Sequence, residues 1–220
     1  MDIPQEVKTI LETLQAKGFK AYAVGGCVRD LLLGVEPKDW DITTDANPAQ
    51  IQEFFPKNFY ANDFGTVTVL TGSQISNLQN IEVTPFRTES MYEDRRHPGK
   101  VEWAKIIEED LSRRDFTINA MALDLAKNII DPFEGQIDLK AKLVRAVREP
   151  QERFEEDALR LMRAVRFATV LGFRLEEKTF EAICQKAKNL KDVSAERVRD
   201  ELMKIVACPR AHKGIELMRE

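Results

Sequence analysis

Residues 20–43 read KAYAVGGCVRDLLLGVEPKDWDIT, and they leave little freedom in what the surrounding chain can fold into. Ala21 to Val24 is an apolar run of strand length. Gly25 and Gly26 follow at once and open a helix whose apolar positions include Val28, Leu31 and Leu32. Adjacent glycines let the backbone approach a ligand with no Cβ in the way. The helix start behind them has unpaired N–H groups and the positive end of the helix dipole, which suits phosphate. Arg29 adds a cation one turn in. Asp39-Trp40-Asp41-Ile42 comes next. As a strand it sets Asp39 and Asp41 on one face, with Trp40 and Ile42 on the other, facing the core. Carboxylates side by side repel unless a cation neutralises them, and a hard divalent ion shared with substrate phosphates fits that need. Alone, a GG turn is an ordinary tight turn and a DxD an ordinary strand edge. Together in one strand–helix–strand unit they point to a nucleoside triphosphate.

The order Gly25-Gly26, Arg29-Asp30, Asp39, Asp41 resembles the signature of the DNA polymerase beta-like nucleotidyltransferase superfamily. The wording GGCVRDLLLG…KDWDIT is similar to the class II tRNA nucleotidyltransferases and the bacterial poly(A) polymerases related to them. The resemblance implies an α+β protein: a mixed-sheet nucleotidyltransferase catalytic head followed by an all-helical neck.

Bulk properties are compatible with this. At 220 residues the chain is long enough for one large domain or two small ones. No apolar run approaches the length of a membrane span, and MDIPQEVKTI is no signal peptide, so a cytoplasmic protein with no membrane partner is expected. The net charge of −4 excludes an all-over basic coat for nucleic acid but not a local basic groove. Cys27, Cys184 and Cys208 lack metal-ligand spacing and read as reduced thiols. His97 and His212 are isolated, which leaves no histidine-based metal site and disfavours a metal phosphohydrolase.

Along the chain, Pro4 to Lys17 has helical spacing of Val7, Ile10, Leu11 and Leu14. A helix over Pro48 to Phe55 and strands over Gly65 to Leu70 and Ile81 to Thr84 are expected, with a polar hairpin connection from Thr71 to Asn80. Glu82 lies on the returning strand, opposite in face to Ile81 and Val83. It is either an exposed strand residue or, as the resemblance implies, the third carboxylate beside Asp39 and Asp41. Arg87 to Lys100 is charged with weak periodicity. It reads as a mobile surface loop, and its place matches a family loop that contributes to switching from C to A.

In residues 110–124, DLSRRDFTINAMALD, Phe116, Ile118, Ala120 and Ala122 alternate with Thr117, Asn119 and Met121, which predicts a strand. Arg113 and Arg114 at its entrance, beside carboxylates such as Asp115, can be part of a surface ion pair of little energetic weight. The string RRDFTINAMA also resembles the family's second motif. That likeness implies nucleotide binding by Arg114, with Asp115 and Asn119 reading the ribose. NIIDPF, followed by Gly135, resembles a linker motif. From Glu149 onward only helices are expected, so residues 1–148 form the head and 149–220 the neck, truncated where a body domain would begin. In RFEEDALRLMRAVRFATVLG, Asp157, Arg160, Arg163 and Arg166 recur every three residues and sweep a polar stripe around a helix. A salt-bridged exposed face explains such a stripe. Its resemblance to the family's EDxxR motif implies instead that Asp157 and Arg160 read the base edge. An Asp accepts from the amino group that C and A carry, and G and U lack there. Arg163 and Arg166 match residues that hold the nucleotide. SAERVRDELMKIV reads as a capped helix that packs the neck.

The resemblance thus implies a Mg²⁺-dependent enzyme that adds C and A from CTP and ATP to the 3′ end of tRNA. Asp39 and Asp41 hold the metal, Glu82 joins them in catalysis, and Gly25, Gly26 and Arg29 hold the triphosphate. An A-adding, CC-adding or poly(A)-adding enzyme shares nearly all these motifs. A non-catalytic head-neck module that binds nucleotide or RNA is the rival of another class. No protein partner is evident.

Overall fold

The computed structural model describes residues 2–60, 65–92 and 98–219, with backbone alone for 89–92 and 98–101. In chain order the first elements are α1 (Gln5–Ala16), β1 (Ala21–Val24), α2 (Gly26–Leu32), β2 (Asp41–Thr44), α3 (Pro48–Phe54) and β3 (Asn58–Tyr60). Next come β4 (Val67–Leu70), β5 (Asn80–Pro85), β6 (Arg87–Tyr92), β7 (Pro98–Trp103), α4 (Ile107–Ser112), β8 (Ala122–Leu123) and β9 (Ile129–Ile130). The remainder is α5 (Gly135–Ala141), β10 (Leu143–Val144), α6 (Pro150–Glu156), α7 (Leu159–Leu171), β11 (Arg174–Leu175), α8 (Glu177–Lys186), α9 (Ala195–Val206) and α10 (Ala211–Leu217). Among the described residues no helix is long and apolar enough to cross a membrane.

Contacts divide the chain into two compact units. The first is Met1–Thr88, Val101–Arg114 and Ile118–Pro132; the second is Glu89–Lys100, Asp115–Thr117 and Phe133–Glu220. The division falls at Pro132/Phe133, ahead of the Arg148 boundary expected from the sequence. The reason is that residues 143 and 144 pair with β11, so this strand segment is tied to the helices that follow it.

The first unit is built on a seven-stranded sheet in the order β3-β4-β5-β2-β1-β8-β9. The β2–β5 pair is parallel and the others are antiparallel, so the sheet is mixed. Val7, Ile10, Leu11 and Leu14 of α1 are buried, each contributing about 1.5–3 kcal/mol of transfer free energy. They cover one face of the sheet with Ile51 of α3. α3 is started by a capping box. The Asn47 side chain accepts from the Gln50 N–H at 3.0 Å, and the Gln50 side chain accepts from the Asn47 N–H at 2.9 Å. Ile81 and Val83 point into this core, so Glu82 and Thr84 lie on the opposite face.

Three expectations change here. Asp39 is not in a strand, because β2 begins at Asp41; Asp39 precedes it in irregular, exposed backbone. The stretch expected as a loop over Arg87 to Lys100 contains β6 and β7, paired as a two-stranded sheet; its residues 93–97 lie outside the described residues. The strand expected through Phe116–Ala122 is a 3-10 turn at Thr117–Asn119 followed by the two-residue β8. Its apparent alternation carries no inside–outside signal, since residues 115–123 are all buried.

The second unit centres on α7, which packs against α9 and α10. Leu159, Met162 and Val165 meet Ile205 of α9, with Leu202 and Leu217 around them. Phe167 packs edge-to-face on Phe116 with ring centroids 5.7 Å apart. This unit is not purely helical: β10 and β11 pair in parallel, with α6 and α7 forming the crossover between them. Nor is the Asp157–Arg166 stripe one helix. Asp157 has φ −141° and ψ 106° and separates α6 from α7. Gly214 of α10 sits where a Cβ would lie 2.6 Å from both Ile205 Cγ2 and Thr169 Oγ1. Gly214→Ala is expected to lower stability by about 1–3 kcal/mol through overpacking, read as a lower chemical-denaturation midpoint. An unchanged midpoint would mean the helices give way freely.

Candidate active site

The open face of the sheet carries the first unit's site. Val24 at the end of β1 stands opposite Asp41 at the start of β2, and Asp41 stands opposite Glu82 on the parallel β5. Cross-strand neighbours share a face. Asp41 and Glu82 therefore line one cavity of about 260 Å³ together with Thr84 and Arg114. Asp41 keeps contact with solvent at this cavity while the cavity walls strip much of its hydration. Burial pushes its carboxyl pKa up, Arg114 opposes this and Asp39 adds to it. Glu82 is also pushed up, by burial first and then by the charges of Asp41 and Asp39.

Carboxylates that repel one another in a half-dry cavity are a donor set suited to a hard cation. Among the described residues no three His, Cys, Asp or Glu side chains already form a closed metal site. The fit thus rests on the adjacent pair Asp41 and Glu82, with Asp39 close in sequence on irregular backbone.

Gly25 explains its own identity. Its φ is 82°, and a Cβ there would lie 2.8 Å from Arg114 Nη1. Its N–H donates to the Met121 carbonyl at 3.1 Å, tying the turn to the segment before β8. Gly26 begins α2. The turn thus brings bare backbone beside a guanidinium, and Arg114 Nε is buried without a hydrogen-bond partner. What Arg114 offers an anion in the cavity it lines is its positive charge. If the turn cradles a triphosphate, Gly25→Ala weakens nucleoside triphosphate binding at least about tenfold, roughly 1.4 kcal/mol. Titration calorimetry would read this, and equal affinity in the variant would remove the turn from the site.

Arg29 does not point freely at the turn's opening. It donates to Asp30 at 2.9 Å and to the Asn119 side chain at 2.6 Å. The structure therefore brings Arg29 and Asn119 together. It also groups Gly25, Asp41, Glu82 and Arg114.

Cys27, next to Gly26, is inert. Burial, reinforced by Asp41, pushes its thiol up to about 12.

The remaining predicted residues belong to the second unit. Asp115 is buried and pairs with Arg163 at 2.5 Å, which holds the Arg163 guanidinium above its ordinary value. Asp157 caps α7 by accepting from the Leu159 N–H at 3.0 Å, and its other oxygen accepts from Arg197 at 3.0 Å. The Arg160 guanidinium donates to Glu156 at 2.6 Å and to the Arg153 carbonyl at 3.0 Å, while its backbone N–H donates to the Asp157 carbonyl at 3.0 Å. Arg166 stacks over Phe167, 3.9 Å from the ring centroid, and pairs with buried Glu201. Burial holds Arg166 below its usual value.

Sequence reasoning missed Asp110, Arg87 and Arg113 in the first unit and Glu156, Arg197 and Glu201 in the second. Asp110 had a readable signal: it precedes Arg113 and Arg114 by one helical turn, the spacing of side chains that meet. Glu156 was likewise within one helical turn of Arg160, whereas Arg197 and Glu201 are partners made by tertiary packing.

A glycine turn beside neighbouring carboxylates on a mixed sheet defines the head of a nucleotidyltransferase-type fold. Residues 21–145 match the family described as Poly A polymerase head domain, and the chain belongs to it. Residues 172–220 match the family described as Probable RNA and SrmB-binding site of polymerase A. The CCA-adding enzyme of Lactobacillus helveticus (strain DPC 4571) is 47% identical over 98% of this chain and 53% of its own length. That of Streptococcus mutans is 46% identical over 97% of this chain and 52% of its own. The Bacillus stearothermophilus CCA-adding enzyme in complex with CTP superposes with a TM-score of 0.89 at 42% identity, over 99% of this chain and 52% of that one. The Thermotoga maritima CCA-adding enzyme complexed with tRNA_CCA gives 0.78 at 29%, over 97% and 49%. The chain spans about half the length of the curated relatives it matches.

Proposed function

We propose that this chain is the catalytic and nucleotide-selecting part of a cytoplasmic enzyme that adds C and A from CTP and ATP to the 3′ end of tRNA. The observation that carries this is the parallel register of Asp41 and Glu82 in a cavity shared with Arg114, beside the Gly25 turn. The names of the similar enzymes support CCA addition over the other tail chemistries.

Asp41, Glu82 and Asp39 are the residues that would hold Mg²⁺. When bound, it would neutralise charge on the reacting phosphates and raise the acidity of the attacking 3′-hydroxyl. The backbone of Gly25 and Gly26 leaves room for the triphosphate, and Arg114 supplies a fixed positive charge. Arg29 and Asn119 hold each other in place and, on this reading, set the wall beside the ribose, with Asp115 steadied by Arg163. Base choice falls to Asp157 and Arg160 in the helical part that begins at residue 149. To accept from the amino group of C or A, Asp157 must loosen its bond to Arg197. Arg163 and Arg166 supply positive charge to the nucleotide. Positioning and charge neutralisation carry most of such a reaction.

The test is to incubate this chain with Mg²⁺ and tRNA ending before CCA, after C, or after CC. Each labelled NTP is supplied alone, and CTP and ATP together. Growth by CCA supports the proposal. Growth by a single A, by CC alone, or by a long A tail assigns a narrower or different tail chemistry. Binding of CTP and ATP with no growth, even when the other half found in its relatives is supplied, identifies a nucleotide-binding module.

A further inference from the structure

In the second unit one arginine sits where its own helix gains nothing from it. Arg197 lies in the first turn of α9. A cation there opposes the positive end of the helix dipole. Nor is Arg197 part of the packed side of α9, where Val198, Leu202 and Ile205 meet Leu159, Met162 and Val165 of α7. Its counter-charge is Asp157, which accepts from Arg197 Nη2 at 3.0 Å across 40 residues of sequence. Among the described residues this is the one hydrogen bond that the Arg197 guanidinium makes.

Asp157 is held at both oxygens. Oδ1 accepts from the Leu159 N–H at 3.0 Å and so caps α7, while Oδ2 takes Arg197. The Asp157 side chain is 18% exposed and that of Arg197 25%. The pair is covered enough to persist and open enough to be broken. Glu201, the partner of Arg166, is sealed more deeply, with 5% of its side chain exposed. Asp157 also stands between α6 and α7 rather than inside either helix. Of the acids that pair with arginines along this part of the chain, it is the one placed to change partners.

We propose that Arg197 is a gate on the base-reading carboxylate: it stands in for the amino group of C or A, and a base is read by exchange with it. This rests on the reading given under Proposed function and deepens it. The exocyclic amino group of C or A needs the oxygen that Arg197 covers, because the other oxygen is committed to the helix cap. The guanidinium it replaces brings a full positive charge as well as a hydrogen bond, so the exchange has a cost. The apparent affinity for C and A is lowered by the fraction of protein in which Asp157 is released. U and G carry a carbonyl at that position. They cannot replace a donor, and they leave the Asp157–Arg197 bond as it stands. What the exchange provides is release. One carboxylate that reads successive bases must let each go before the next, and Arg197 reclaims it. Binding energy that held the base more tightly before and after reaction alike would not speed the chemical step. Removing the arginine should therefore tighten binding of amino-bearing bases, the opposite sign from losing a residue that only supports the fold.

The experiment measures binding of CTP and ATP by titration calorimetry with Mg²⁺, beside the analogues of each that carry hydrogen in place of the amino group. Wild-type chain is compared with Arg197→Met, which keeps the stem without the donors, and Arg197→Lys, which keeps the charge. Far-UV circular dichroism checks that each variant is folded. In Arg197→Met, CTP and ATP should bind about tenfold tighter than in wild type, about 1.4 kcal/mol, while the analogues stay within about twofold. Arg197→Lys should fall between wild type and Arg197→Met. If Arg197→Met does not fold, Arg197→Lys decides on the same sign. Unchanged or weaker CTP binding in a folded variant overturns the gate, and so does tightening shared equally by the analogues. A preference for CTP over its analogue that is the same in wild type and variants leaves base reading intact and overturns the gate alone. No such preference in any of the three chains overturns the base-reading role of Asp157 and the gate with it.

Discussion

Asp41→Ala is expected to reduce nucleotide incorporation by about 1,000-fold or more while the protein remains folded and still binds CTP through its other contacts. A thousandfold corresponds to about 4 kcal/mol at the transition state, within what charge neutralisation by a carboxylate-held cation supplies. The side effect on stability has the opposite sign. Burial raises the Asp41 pKa, with Arg114 opposing and Asp39 adding to it, and Glu82 is raised by burial first and then by Asp41 and Asp39. Removing Asp41 relieves its desolvation and the repulsion, which together outweigh the lost attraction to Arg114, so the metal-free variant should unfold at the same or a higher temperature than wild type. Single-turnover incorporation and a thermal melt, run in parallel, check both halves. Retained incorporation would sink the metal assignment, and a collapsed melt would show that Asp41 serves the fold.

The second large effect is at Asp110, where stability and activity should fall together. This carboxylate is fully buried and holds Arg113 at 2.7 Å and Arg114 at 3.3 Å. Asp110→Asn leaves those guanidiniums without their counter-charge and is expected to cost about 3–5 kcal/mol. Burial pushes the Asp110 pKa up, but the charges and bonds of Arg113 and Arg114 outweigh it and hold it below its usual value. The folded state thus binds this proton less readily than the unfolded one. The Asp110 contribution is complete above the ordinary carboxylate range and disappears as pH falls through the lowered value. Denaturation of wild type and variant should therefore differ most near neutrality and converge in acid. A constant difference across pH would mean that the loss comes from shape rather than charge.

How much of this was legible in the sequence depended on whether the information is local. The glycine turn, the strand before it and the helix after it follow from adjacent residues, and the structure has them where the string placed them. The face of Glu82 was readable from alternation with Ile81 and Val83, but that Asp41 is its direct neighbour was not. That pairing is set by which strands lie side by side. Thr117 and Asn119 misled because full burial erases the contrast that alternation relies on. Both satisfy their polar groups inside, Thr117 donating to Asp138 and Asn119 accepting from Arg29. The regular spacing of Asp157, Arg160, Arg163 and Arg166 suggested one stripe. It could not reveal that Asp157 breaks the helix, or that each arginine has its own acid. Arg160 uses Glu156 close by, whereas Arg163 and Arg166 use Asp115 and Glu201, far away in sequence.

The parallel pairing of β2 and β5 also bears on how the molecule comes into being. No hairpin can align Asp41 with Glu82. The chain must first pass through α3, β3 and β4 and return, a long loop closure that is slow compared with forming a local turn. During refolding, helical signal should therefore recover before the carboxylate pair exists. The chain would pass through a period of substantial secondary structure without catalytic competence, and incorporation should appear with a lag behind the helices.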